Sequence, residues 1–99
     1  MIPEGYKMQT TFFSDYAIAN VFGKEAVKDT YNRSMRDWKD NVLYMKEMTY
    51  VLNIMCWDFY HRGNMEMSEL YANLYHECYD KCLDHFKGDE LHEYWEFLD

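Results

Sequence analysis

The sequence predicts an all-α protein, a compact antiparallel bundle of four to five helices. Three observations lead there. The single proline is Pro3, so the rest of the chain is free of proline's helix-breaking constraint. Four glycines, at 5, 23, 63 and 88, punctuate it into segments of helix length. Within those segments apolar residues recur three and four apart, the period of one helix face. A chain of 99 residues, 48% of them hydrophobic, is long enough to bury one core without a disulfide or metal.

Residues 1–9, MIPEGYKMQ, read as a flexible N-terminal arm, because Pro3 and Gly5 oppose regular structure. Residues 10–99 read as a single helical domain, with no linker or internal repeat. The first helix is expected over about 11–22, with Phe13, Tyr16, Ala17 and Val21 facing inward and Gly23 as a left-handed stop. The second, about 24–39, turns Val27, Tyr31, Ser34 and Trp38 inward. Its other face carries Lys28, Asp29, Arg33, Arg36 and Asp37.

Asp40 or Asn41 can cap a third helix over about 41–62. Met45, Met48, Leu52, Met55 and Phe59 form its packing seam, which Val51, Ile54 and Trp57 widen. Apolar over most of its circumference, this helix should be the central one. Gly63-Asn64 closes it, with His61 and Arg62 in the last turn. A fourth helix, about 66–87, offers Met67, Leu70, Leu74, Cys78, Cys82 and Phe86 to the core, and Gly88 ends it. Asp89 caps a short fifth helix, about 90–97, with Leu91, Tyr94, Trp95 and Leu98 turned inward. Short connections between long helices make neighbours antiparallel.

Net charge is −8 and unevenly spread. Residues 1–67 hold nine acids against eight bases, whereas residues 68–99 hold nine acids against two lysines. Phosphate binding needs cationic clusters, so direct contact with nucleic acid or an anionic membrane is disfavoured. A basic protein surface is the favoured partner. There is no apolar run of 18 residues and no signal peptide, and three cysteines cannot complete a disulfide framework. The expected setting is cytoplasmic, with reduced thiols.

The stretch YHECYDKCLDHF sets Cys78, Cys82 and His85 at i, i+4 and i+7, on one side of a helix. Two thiolates and an imidazole there could hold zinc, with His61 or Cys56 as a fourth ligand, or the two cysteines could act as a regulatory thiol pair. Structural zinc sites usually pair cysteines around a tight turn instead, and free cysteine behaves as a small buried hydrophobe. Core packing is therefore the preferred reading, and no metal or other cofactor is expected. His76-Glu77 is followed by Asp80, and His92-Glu93 by Glu96, so neither completes the H-E-x-x-H zinc-protease motif. No phosphate-binding loop or nucleophile elbow occurs. No residue is named as catalytic, and the chain is read as non-enzymatic.

Four segments resemble a known pattern. They are TTFFSDY (Thr10 to Tyr16), FGKEAVKDTY (Phe22 to Tyr31), VLN (Val51 to Asn53) and KGDEL (Lys87 to Leu91). Together they resemble short acidic proteins encoded on conjugative transposons and related mobile elements of Firmicutes. The resemblance implies a bacterial, mobile-DNA setting and transfers no catalytic residue.

Glu77, Asp80 and Asp84, then Asp89, Glu93 and Glu96, follow helical spacing. These six are the candidate partner-binding residues. A row of carboxylates can imitate phosphates and occupy the basic groove of a DNA-binding or defence enzyme. The plainer alternative is a solvated face that keeps the protein dissolved. A third reading is a structural homodimer, with Tyr71, Tyr75 or Trp95 at its interface.

Overall fold

The computed structural model describes residues 5–98, Leu98 by its backbone alone. Five helices follow in order: α1 (Phe12–Phe22), α2 (Lys24–Trp38), α3 (Val42–His61), α4 (Met65–His85) and α5 (Asp89–Leu98). No strand occurs among the described residues, and the fold is an all-α bundle. Residues 1–4 of the expected arm lie outside the described residues.

The joints are short and chemically specific. Gly23 alone separates α1 from α2, at φ 109° and ψ −173°. The sequence suggested a left-handed stop there. The observed conformation is instead extended at positive φ, a region open essentially to glycine alone. At the α3–α4 turn, Gly63 sits at φ 77°. Its N–H bonds to the carbonyl of Tyr60, and the Asn64 N–H bonds to that of Phe59. This pair of reverse bonds closes a helix on a left-handed glycine. Asn64 then caps α4 by accepting from the Met67 N–H at 3.2 Å, as Asn41 caps α3 by accepting from Tyr44 at 3.1 Å.

Contacts fix the sense of each helix. Thr49 meets Cys78 and Cys56 meets Ser68, so α3 and α4 run antiparallel. Phe12 lies on Tyr44, Tyr16 on Met48 and Asn20 on Met55, so α1 runs parallel to α3. Lys46 with Glu93 and Thr49 with Tyr94 set α5 parallel to α3. The chain thus goes up and down, with α3 in the middle. From Met45 to Thr49 every residue of α3 is buried, all the way round the helix.

The α4 seam lies as its spacing predicts, with Met67, Leu70, Leu74, Cys78, Cys82 and Phe86 all buried. So do Met45, Met48, Leu52, Met55 and Phe59 of α3 and Val27, Tyr31 and Ser34 of α2. The face of α1 differs. Tyr16 points inward with Phe12 and Ala19, whereas Phe13 and Val21 are exposed and Ala17 shares their side. Eight of the eleven residues of α1 are apolar or aromatic, on every side, so spacing alone could not choose an inner face.

Three tryptophans also move outward. Trp38, at the last turn of α2, stacks on Tyr44 at 4.1 Å, Trp57 leaves α3 beside Tyr60, and Trp95 lies edge-on to Tyr79 at 5.6 Å. On α5, Tyr94 and Phe97 fill the interior and Leu91 is half-buried. The expectation for Leu98 falls on a side chain outside the described residues.

Candidate functional site

An α-helix of 21 residues such as α4 presents one long outer edge, and here that edge is acidic. Glu77, Asp80 and Asp84 are exposed on it, in line with Glu66 and Glu69 from the first turns. At 1.5 Å rise per residue the row extends over roughly 27 Å. Some of these charges are engaged within the chain. Glu66 takes Lys24 of α2 at 2.7 Å, and Glu77 takes Lys81 at 3.3 Å.

The acids of α5 divide in the same way. Glu93 turns back to Lys46 at 2.7 Å, and Glu96 meets His92 at 3.0 Å. Asp80, Asp84 and Asp89 make no ion pair among the described residues. Of the six candidate residues, these three remain exposed and uncommitted.

The cysteines and histidine part company. Cys78 and Cys82 are buried, and the Cys78 thiol lies 3.2 Å from Thr49 Oγ1, which is itself 3.1 Å from the Tyr94 hydroxyl. This small polar knot ties α3, α4 and α5 together. The Cys78 thiol is pushed well up from its ordinary range by the hydrogen bond it shares with Cys82 and by burial. His85 instead stands near the surface and reaches Asp40 at 2.7 Å. Among the described residues, no three His, Cys, Asp or Glu side chains gather in a way that could hold a metal ion.

Two charged residues that the sequence reading passed over are buried side by side on α3. Glu47 is fully inaccessible and Lys46 is 9% exposed. The Glu47 carboxylate accepts from the Tyr6 hydroxyl, from the Gln9 N–H at 3.0 Å and from the Thr10 N–H at 2.8 Å. It thereby fastens the chain ahead of α1 to the central helix. Lys46 does the same for α5, bonding to Glu93 and lying 5.3 Å from the centre of the Phe97 ring. Tyr6 packs edge-on to Phe97 at 5.1 Å, so the two ends of the described chain meet over this pair.

Burial opposes the charge on Glu47, yet the donors from Tyr6 and the backbone outweigh it and hold the carboxyl below its usual range. Burial and the bond to Glu47 together push the Tyr6 phenol up to about 12. The clue to this pair was its place on a helix read as central. A charge on a helix surrounded by its neighbours has no solvent face to occupy.

Concavities lie between several of the helices. A groove of about 580 Å³ runs between α1 and α3, lined by Phe13, Ala17, Val21, Ile54, Asp58 and Arg62 among others. A smaller one of about 180 Å³ lies between α2 and α4, lined by Met35, Lys39, Lys81, Cys82 and His85. Among the described residues, no helix is long and apolar enough to cross a membrane. Compared with models of protein families, with curated proteins and with solved structures, the chain matches none.

Proposed function

We propose that this chain is a non-enzymatic protein-interaction module of the cytoplasm that docks a basic protein surface through the outer edge of α4. The observation that carries the reading is the row of exposed carboxylates there, of which Asp80 and Asp84 pair with no cation among the described residues. Asp89 at the start of α5 belongs to the same uncommitted set. A fixed row of anions on a rigid helix steers and orients a cationic partner, and its contribution falls with ionic strength. In its concrete form the module is an inhibitor that fills the basic groove of a DNA-binding or defence enzyme in place of nucleic acid. The resemblance to proteins of mobile elements supplies that setting.

The test compares two triple variants of equal charge. Asp80→Asn with Asp84→Asn and Asp89→Asn neutralises the edge. Glu25→Gln with Asp29→Asn and Asp37→Asn neutralises three acids of α2. Partners captured at low salt and released at high salt are measured against both, with an arginine-rich peptide as reference probe. Loss of binding confined to the first triple supports the reading. Equal loss from both means that net charge alone is at work, and the proposal fails.

A further inference from the structure

The groove between α1 and α3 has the dimensions of a small-molecule site. Its volume of about 580 Å³ lies in the range of roughly 300–1,000 Å³ typical of pockets for small organic ligands. Phe13, Ala17 and Val21 of α1 form one wall, Ile54 of α3 the other, and the buried Met55 and Phe59 the floor. A slot with such a lining takes an apolar body, because both surfaces are then removed from water. Phe13, 47% exposed, and Val21, 82% exposed, are apolar surface that their own chain leaves wet. The Met55 thioether at the floor is flexible and adapts to the shape of an occupant.

The polar groups of the lining indicate how such a ligand must end. They are Asn20, Asp58 and Arg62. Asn20 is engaged inside the chain, accepting from the Tyr71 hydroxyl and donating towards the Met55 sulfur at 3.6 Å. Asp58 and Arg62, one turn apart at the end of α3, pair at 2.7 Å. The Arg62 guanidinium also lies 5.6 Å over the Phe59 ring, so it is held from two sides. Each partner keeps capacity beyond that bond, since a guanidinium has further N–H donors and a carboxylate further lone pairs. As a whole the pair is neutral. A ligand carboxylate is drawn to Arg62 and repelled by Asp58, and for an ammonium the signs reverse. A neutral group with an acceptor and a donor side by side satisfies both. A carboxamide is such a group.

We propose that the α1–α3 groove binds an elongated apolar molecule that ends in a neutral carboxamide. The apolar chain lies between the walls of α1 and α3, over Met55 and Phe59. The amide carbonyl accepts from Arg62, and the amide N–H donates to Asp58. No residue of the acidic α4 edge lines this groove, so the proposal stands or falls separately from the docking of a basic partner.

Three six-carbon probes of similar shape, hexanamide, hexanoate and hexylamine, test it on the full chain. Isothermal titration calorimetry gives the affinity, and the NMR signal of the Met55 methyl group reports the place. Hexanamide should saturate with a Kd on the order of 1 mM, as suits a ligand of its size. The two charged probes should bind about tenfold more weakly or worse. Ala17→Phe fills the slot from an exposed position. It should abolish binding and leave the far-UV circular dichroism unchanged. Asp58→Asn leaves Arg62 without its counter-ion, so hexanoate should overtake hexanamide. Arg62→Gln should favour hexylamine instead. An apolar slot that reads no head group would bind all three probes alike and keep that order in both variants, which overturns the proposal. So does a lack of saturable hexanamide binding up to about 20 mM, or binding that survives Ala17→Phe.

Discussion

Replacing Glu47 by glutamine tests whether a buried carboxylate holds the two ends of the bundle. Three donors converge on it: the Tyr6 hydroxyl and the N–H groups of Gln9 and Thr10. Hydrogen bonds to a charged acceptor contribute about 1.5–3 kcal/mol each, or roughly 4.5–9 kcal/mol together. Against this stands the desolvation of a buried ion, several kcal/mol. The sign of the balance is visible in the carboxyl itself, which is held below its ordinary value of 4.5 in spite of burial. The folded protein therefore favours the ionised form over the neutral one.

Glutamine has nearly the same shape, but it has no charge and its amide N–H₂ would face a donor. We expect Glu47→Gln to cost about 2–4 kcal/mol, lowering Tm by roughly 10–25 °C in a chain of this length. Urea titrations across the acid range measure it. Because the folded-state pKa is depressed, the stabilisation is complete above about 4.5 and is lost as pH falls through the lower folded value. The gap between wild type and variant should close accordingly. A gap below about 0.5 kcal/mol at neutral pH, or one of equal size well below pH 4.5, refutes the argument.

Other changes have smaller and differently signed effects. The Tyr31 hydroxyl is buried, makes no hydrogen bond of good geometry among the described residues, and is pushed well up from its ordinary range by burial and by neighbours that include the Glu77 carboxylate. Tyr31→Phe should thus leave stability unchanged or raise it by up to about 1 kcal/mol, and a loss beyond about 1 kcal/mol would reveal a partner. Asn64→Ala removes the cap of α4 and should cost about 1 kcal/mol in chemical denaturation, with no change in helical content of the folded state. A thiol reagent should modify the half-buried Cys56 in the native protein and reach Cys78 and Cys82 only on unfolding. A second thiol reacting as fast as Cys56 would contradict the packing described for that pair.

Sequence alone determined the class of fold, the joints and most of the inner faces of α2, α3 and α4, Trp38 and Trp57 excepted. On α2 and α4 the apolar stripe is bordered by polar residues, so one face has a clear claim to the core, and on α3 the seam of three-and-four spacing picks out Met45, Met48, Leu52, Met55 and Phe59. Met67 through Phe86 lie where their spacing puts them. Gly23, Gly63 and Gly88 mark the joints because their backbones take positive φ. The excess of acids on the last third was legible as composition, as was the spacing that lines Glu77, Asp80 and Asp84 along one edge.

Two features required the tertiary structure. On α1 both sides are apolar, so the choice of Phe12, Tyr16 and Ala19 over Phe13, Ala17 and Val21 was made by the positions of α2 and α3 and not by period. Glu93 looks in sequence like any other surface acid, and Glu47 is set apart only by its place on a helix read as central. Their roles exist only because residues 6–10 arrive beside Glu47 from some forty positions away and because Lys46 is walled in beside α5. A charge is stable in the interior only where its partners converge in space, and a linear pattern carries no record of that convergence.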